Sequence, residues 1–439
     1  MEFHPDLPAY LTDAMAALRD HGYQCFLVGG AVRDLLLGET PKDYDLATNA
    51  SVFQIEAVFQ SDKKINGNGR KHGTVTVRIA KNNIEISTFR HEGEEPSTIE
   101  SDLNHRDLTV NAIAYDGERL VDPLGGLVDL QQGVLRMALD ADSTIKEDPL
   151  RILRALRFHA KYGFAIEANT SVAMKKLYPL LENVANERIA TELRTILLAP
   201  DIKDVLLEYQ DIFAFLFPPL KPTIGFDQHN HWHAHELYVH IAHVVGGTKP
   251  EFLTRLAALL HDNGKVDTVS IENRDGEIIY HFPYHPIVSE QLAEPWLREY
   301  RFTNIEVPIV LFLIKFHDSK IATTTKSVRR FLAHCSSVQG IEPIKLLEML
   351  LDIQQSDHAD HTKLVPIPSD EILSIARNII EGKEAFSIKD LAINGNDVMA
   401  LGFTGKGIGV ALRYALEQVL SENVPNEKDA LLALLKKTF

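Results

Sequence analysis

The chain has only two cysteines, Cys25 and Cys335, in 439 residues. That rules out a disulfide framework and suits a reducing compartment, so the cytoplasm is the expected location. No apolar run approaches the ~20 residues that a membrane-spanning helix needs. The opening stretch Met1–Tyr10 is short and acidic and holds two prolines, which gives no expectation of a signal peptide. No internal repeat or low-complexity tract is visible. Basic residues are in deficit, 45 Lys and Arg against 61 Asp and Glu, for a net charge of −16. So acidic a chain is no nonspecific nucleic-acid coat, although a local basic groove stays open to it. One segment runs against the trend, with ten basic against eight acidic residues from Arg136 to Arg194. The length suits two to four domains, and a hydrophobic share of 45% is ample for real cores.

The most informative stretch is Phe26–Thr48, FLVGGAVRDLLLGETPKDYDLAT. Phe26-Leu27-Val28 reads as a buried strand. Gly29-Gly30 allows a tight turn that presents backbone N–H groups, and Ala31–Leu37 reads as the helix that follows, an arrangement suited to phosphate. Asp43 and Asp45 flank Tyr44, so an extended backbone there points both carboxylates to one face. Two carboxylates beside a phosphate cradle are what two-metal phosphoryl transfer requires. Downstream, Thr74–Ile79 (TVTVRI) and Ile84–Thr88 (IEIST) read as neighbouring strands. From about residue 138 the pattern is helical, with breaks expected near Pro200, in Pro218–Pro222 and in Pro366–Pro368.

The string from Phe26 to Thr48 resembles the nucleotidyltransferase signature of bacterial tRNA nucleotidyltransferases, the CCA-adding and CC-adding enzymes and their poly(A) polymerase relatives. The resemblance implies an α+β protein: a mixed α/β, polymerase-β-like head over residues 1–134, a helical neck over 135–200, an HD-like helical body over 201–345 and a tRNA-binding helical tail over 346–439. It implies two Mg²⁺ on Asp43 and Asp45, with Gly29, Gly30 and Arg33 around the triphosphate. His105–Ala112 (HRDLTVNA) matches the family's second motif, with His105 where an arginine is usual. By resemblance Arg106 and Asp107 bind the ribose and triphosphate region, which suits an Arg/Asp pair facing a hydroxyl that both donates and accepts. Asp129 to Arg136 corresponds to the hinge between head and neck.

Glu147–Phe158 (EDPLRILRALRF) places Arg151, Arg154 and Arg157 on one helical stripe, with Asp148 as the expected N-cap before Pro149. Such a stripe suits a polyanion. In the family the Glu-Asp-x-x-Arg pattern reads the incoming base, here through Asp148 and Arg151. Cytosine and adenine each set an amino donor beside a ring-nitrogen acceptor, so a carboxylate and a guanidinium can accept both bases and reject guanine and uracil. Arg154 and Arg157 are then expected to neutralise phosphate. Glu187–Leu193 (ERIATEL) matches the next family motif and is expected to support this helix.

The link His91–Asn104 is roughly a dozen residues shorter than the corresponding segment in CCA-adding enzymes. The family uses that loop to switch from CTP to ATP. The expectation is therefore CC addition to the tRNA acceptor end from CTP, with a separate A-adding enzyme as a partner. Full CCA addition with CTP and ATP is the first alternative, and a poly(A) polymerase is another.

A histidine-rich middle contains His229, His231, His233, His235, His240 and His243, then His261-Asp262-Asn263-Gly264-Lys265, His285 and His317-Asp318. It resembles an HD phosphohydrolase domain, with His240, His261, Asp262, His285 and Asp318 as candidate ligands of a second divalent metal. A metal-dependent phosphohydrolase is thus the alternative from another class, as a main or a second activity. The tail segment GFTGKGIG, Gly402–Gly409, is no Walker A loop; it reads either as a phosphate-holding turn or as a plain helix junction.

Overall fold

The computed structural model describes residues 3–60, 65–66, 73–79, 81–90, 97–229, 234–274, 276–361 and 366–439. Two compact units divide it, Met1–Ile196 and Leu197–Phe439. The division falls close to the break expected at Pro200. Pro218–Thr223, the second expected break, is instead a 3-10 turn inside the second unit.

The first unit opens with helix α1 (Ala9–Asp20), strand β1 (Cys25–Val28), helix α2 (Gly30–Leu36), β2 (Asp45–Thr48) and α3 (Val52–Val58). β3 (Ile65–Asn66), β4 (Thr74–Ile79), β5 (Asn82–Thr88), α4 (Ile99–Asn104), β6 (Ala114–Tyr115), β7 (Leu120–Val121) and α5 (Gly126–Gln132) follow. The strands make one sheet in the order β3-β4-β5-β2-β1-β6-β7. β1 and β2 are antiparallel with Val28 opposite Asp45, and β2 and β5 are parallel with Asp45 opposite Glu85. Alternation explains the sheet's sidedness: Val75, Val77, Ile79, Ile84 and Ile86 are buried with Leu11, Leu18, Leu27, Leu46 and Ile55 in one apolar cluster. That cluster fixes the register and so the row on which Asp45 stands.

The rest of this unit is helical: β8 (Val134–Leu135), α6 (Ala141–Glu147), α7 (Arg151–Tyr162), β9 (Ala165–Ile166), α8 (Ala168–Leu177) and α9 (Asn186–Leu197). β8 and β9 pair in parallel, an exception to the all-helical expectation. A second exception is an antiparallel hairpin of Ser270–Arg274 and Glu277–His281 in the second unit. Its turn carries the chemistry a reader of the sequence could have used: Gly276 sits at φ +89° and donates its N–H to Asn273 Oδ1 at 3.0 Å.

The second unit packs long helices, among them Leu237–Gly247, Phe252–Leu260, His285–Glu299, Glu306–Phe316 and Pro343–Ala359, around leucine-rich buried faces. The expected domain boundary at 345/346 falls inside the helix Pro343–Ala359. That helix buries Leu346, Leu347, Leu350 and Ile353 and carries Asp357, so it cannot be separated from the body. The glycine-rich tail segment joins the short helix Gly395–Met399 to Lys406–Leu420, with Gly402 and Gly405 at φ +96° and +53°.

Candidate active site

Asp43 lies in the bend before β2 and is exposed, while Asp45 begins the strand and is half-buried. Burial pushes the Asp45 carboxyl up to about 6, and the negative charges of Glu85 and Asp43 push the same way, with Arg106 opposing. A carboxylate crowded by two others is a place that favours a cation, and three oxygen donors suit a hard divalent ion. The donor set therefore fits the metal implied by the resemblance. Glu85 is the member that sequence reasoning missed. Its signal was the alternation Ile84-Glu85-Ile86, which puts one acid on the face opposite the core, but only the parallel pairing with β2 brings that acid beside Asp45.

The glycine turn meets this row from β1. Gly29 stands at φ +73°, a backbone that L side chains rarely adopt. A Cβ there would lie 2.8 Å from Nη1 of Arg106. The Arg106 guanidinium thus packs on the bare turn, held by Nη2 donating to Asp102 Oδ2 at 2.9 Å. Arg33 lies under Gly30, whose added Cβ would sit 3.5 Å from its Nη2. It is buried, donates to Asn111 Oδ1 at 2.5 Å and to Asp34 Oδ1 at 2.6 Å, and stacks its guanidinium 4.5 Å from the centre of the Phe158 ring.

From Arg33 a continuous network runs inward. Asn111 Nδ2 donates to Asp107 Oδ1 at 2.9 Å, which also accepts the Leu108 N–H at 2.9 Å, while Arg154 Nε donates to Asp107 Oδ2 at 2.6 Å. Burial by itself would raise the Asp107 carboxyl, but Arg154 and these hydrogen bonds together hold it down at about 2. Asn111 is a second residue that sequence reasoning left without a role, although it lies within the HRDLTVNA string.

The arginine stripe of α7 is matched to carboxylates. Arg151 is buried, and its Nη1 donates to Glu147 Oε2 at 2.5 Å and to the Thr144 carbonyl at 3.0 Å. Its Nη2 donates to the His105 carbonyl at 2.7 Å. Arg154 faces Asp107, and Arg157 Nε lies 3.3 Å from Glu192 Oε2. The helix packs this face on the head's second motif and on α9, so the stripe expected to meet a polyanion already holds carboxylates of the chain itself. Asp148 does not cap α7 directly. The helix begins at Arg151, and Asp148 ends the preceding segment, its Oδ1 accepting the Leu150 N–H at 3.2 Å and its Oδ2 accepting from Arg188 at 2.8 Å. Through Arg188 and Glu192 the ERIATEL segment braces α7.

At the proposed hinge, Arg136 donates through Nε to Asp129 Oδ2 at 3.1 Å across Gly133, and Thr109 Oγ1 donates to the same oxygen at 2.7 Å. His105, the departure from the usual arginine, turns its Nδ1 to the Ser101 carbonyl at 2.8 Å. Residues 91–96 of the shortened link, and His231 and His233, lie outside the described residues.

The second unit brings together four of the five histidine-domain candidates, His240, His261, Asp262 and His285, all buried. Asp318 is not with them. It follows the helix Glu306–Phe316 and is exposed, whereas its neighbour His317 is buried beside Asp262. Asp357, from the helix beyond, supplies the second carboxylate. On the chain this aspartate lies some 40 residues beyond Asp318.

Comparison with known families agrees with this architecture. A model described as "Poly A polymerase head domain" matches residues 25–136. Residues 163–224 match "Probable RNA and SrmB- binding site of polymerase A", and 337–435 match "tRNA nucleotidyltransferase domain 2 putative". The chain is a nucleotidyltransferase. More narrowly, the head match and the relatives named next support a bacterial tRNA nucleotidyltransferase. A CCA-adding enzyme of Staphylococcus haemolyticus is 28% identical, over 96% of this chain and 95% of that protein. A CC-adding tRNA nucleotidyltransferase of Halalkalibacterium halodurans is 41% identical over 42% of this chain, a match that spans 47% of its own length. The crystal structure of the Bacillus stearothermophilus CCA-adding enzyme in complex with CTP has the same fold, with a TM-score of 0.71 at 24% identity over 98% and 96% of the two chains.

One prediction follows from the glycine turn. Gly29→Ala forces a side chain into positive φ and onto Arg106. It should cost about 1–2 kcal/mol of stability. It should also lower kcat/KM for nucleotide transfer by at least tenfold, read by steady-state kinetics beside a thermal melt.

Proposed function

We propose that the chain is a cytoplasmic, template-independent enzyme that adds CMP residues to the 3′ acceptor end of tRNA from CTP. The observation that carries this reading is the convergence of Asp43, Asp45 and Glu85 beside the Gly29–Gly30 turn, with Arg106 packed on that turn. Two Mg²⁺ held by Asp43 and Asp45, with Glu85 adding a third carboxylate, would supply charge neutralisation and activation of the attacking hydroxyl. The 3′ oxygen of the tRNA bonds to the α-phosphorus, the bond to the β-phosphate oxygen breaks, pyrophosphate leaves, and the hydroxyl proton is lost. Gly29 and Gly30 offer backbone N–H groups to the triphosphate, and Arg33 stiffens the turn from beneath. Arg106 is placed to meet both the phosphates and the sugar. Asp107 already takes three donors, so its part in sugar binding would come through holding Arg154 and Asn111.

Base selection is assigned to Asp148 and Arg151. Both hold other partners, Arg188 and Glu147 respectively, so the incoming base would exchange with them. Arg151→Ala should raise misincorporation of UMP and GMP at least tenfold. Unchanged rejection of UTP and GTP would leave Arg151 as a structural pin between α6, α7 and His105. The Asp129–Arg136 pair is proposed as the hinge, and the second unit as the part that carries the tRNA body.

The short link after β5 favours CC addition followed by a separate A-adding enzyme, while relatives named for CCA addition favour the full reaction. The test uses tRNA transcripts ending at the discriminator base, after one C, and after CC, each offered CTP, ATP or both with Mg²⁺. Growth to CC with no A supports the CC-adding reading. A terminal A on the CC transcript establishes full CCA addition. Extended ATP polymerisation on unstructured RNA would favour a poly(A) polymerase.

A further inference from the structure

We propose that Phe158 and Tyr162, at the far end of α7, are positioning residues that govern how strictly the enzyme rejects a wrong nucleotide. They clamp Arg33 and Asp34, and so make one rigid piece of the seat for the base and the seat for the triphosphate. The inference rests on the nucleotidyltransferase reading and on Arg151 as a reader of the base.

One face of α7 carries the whole connection. Arg151, Arg154, Phe158 and Tyr162 recur at steps of three, four and four, the spacing that aligns side chains along a helix. Each meets a different point of the head. Arg151 donates to the His105 carbonyl at 2.7 Å, and Arg154 to Asp107 at 2.6 Å. The Phe158 ring centre lies 4.5 Å from the Arg33 guanidinium, and Tyr162 donates its hydroxyl to Asp34 Oδ1 at 3.1 Å. The first two contacts hold the head's second motif; the last two hold α2, the helix that follows the glycine turn. From Arg151 to Tyr162 the helix rises about 16 Å, so its two ends serve separate parts of the site.

Arg33 shows why the rings matter. Expected beside the triphosphate, it is buried and its donors go to the protein, Nη1 to Asn111 Oδ1 and Nε and Nη2 to Asp34 Oδ1 at 2.9 and 2.6 Å. Those bonds run along the edge of the guanidinium and leave its flat face to the rings. Phe158 and Tyr162 meet it at 4.5 and 5.4 Å, with their planes only 12° apart. A desolvated cation on an aromatic face is held by the ring's quadrupole as well as by packing. The guanidinium in turn props the glycine turn, since a Cβ on Gly30 would lie 3.5 Å from its Nη2.

Tyr162 is itself pinned. α7 ends directly after it, at Gly163 with φ +67°, and the chain folds back to set the Phe164 ring 5.4 Å from the Tyr162 ring. Lys161 Nζ donates to the Tyr162 hydroxyl oxygen at 2.5 Å, which leaves the hydroxyl proton for Asp34. The same ammonium lies 3.4 Å from Glu39 Oε2, just past the end of α2.

The consequence is kinetic. A base that fits Arg151 seats α7, and the clamp passes that fit to the turn where the α-phosphate is aligned. A base that fits badly displaces the helix and with it the turn, so a misfit at one end slows the reaction at the other. Loosening the clamp therefore harms the right nucleotide more than the wrong one. Loss of mere packing would slow both alike.

The experiment measures kcat and KM for CTP and for UTP on a tRNA transcript, with the full chain and Mg²⁺. Phe158→Leu keeps apolar bulk but removes the ring, and Tyr162→Phe removes only the hydroxyl. Phe158→Leu should lower kcat/KM for CTP about tenfold, chiefly through kcat, and that for UTP no more than about twofold. Tyr162→Phe should shift the CTP-to-UTP ratio in the same direction by about threefold. Thermal melts show which variants are folded, and the tyrosine change, which takes away a single oxygen, keeps the test open should the leucine variant melt early. Equal losses for CTP and UTP, or an unchanged ratio in the folded variants, overturn the clamp alone. A wild-type chain that adds no CMP, or takes UTP as readily as CTP, overturns the reading on which the clamp rests, and the clamp with it.

Discussion

Asp45→Asn should abolish nucleotide addition, with kcat falling at least a thousandfold while the fold survives. Asparagine keeps the size of the side chain but removes the charge at the centre of the carboxylate row. Interactions that act only on the developing transition-state charge are lost from kcat rather than KM. Removing a charge that burial and the neighbours Glu85 and Asp43 already hold up at about 6 should leave the melting temperature unchanged or raise it slightly. This opposition of signs, activity lost and stability kept, marks a functional carboxylate. Glu85→Gln should lower kcat in the same direction by a smaller factor. Robust residual transfer by Asp45→Asn, read with CTP on a tRNA transcript at saturating Mg²⁺, would remove the metal assignment.

The second large effect is on stability. Asp107→Asn leaves the Arg154 guanidinium beside a neutral amide and breaks the network that joins Arg33, Asn111 and α7. Losing one partner of a buried pair costs about 3 kcal/mol. The first unit should melt roughly 6–12 °C lower. The sign of the pH dependence follows from the depressed carboxyl. Its value of about 2, against 3.8 for an ordinary aspartate, means that Asp107 stabilises the fold above about pH 4. That contribution fades as pH falls through 2. The difference corresponds to about 2–3 kcal/mol at neutral pH. Wild type and Asp107→Asn should therefore converge in stability on acidification, in denaturant titrations from pH 7 to pH 2.5. A constant gap between them would show that Asp107 is not held as an ion.

The two aspartates separate what a motif can say from what a fold must add. Strand periodicity reads Asp43 and Asp45 onto one face, but only Asp45 stands in β2, with Asp43 in the bend before it. Asp107 was legible as a motif residue but not as a buried hub, since its partners Asn111 and Arg154 are reached by a turn and by a helix that begins only at Arg151. The arginine stripe shows a related limit. Helical spacing shows that three arginines share a face, yet only Glu147 is a local partner, and the carboxylates that meet Arg154 and Arg157 come from two other places in the chain. Glu85 and Asn111 carried weak local signals, and Asp357 carried none that distinguished it from Asp318.

The sequence by itself determined the family, the strand–glycine turn–helix unit, the paired carboxylates and the His-Asp step, because each depends on neighbours within one turn or one strand. The tertiary structure alone decided that Glu85 joins Asp45, that Arg154 and Arg157 face carboxylates, and that Asp357 rather than Asp318 joins the histidine cluster. These are pairings across large sequence separations, fixed by which apolar faces pack together and in what register. No local propensity encodes them.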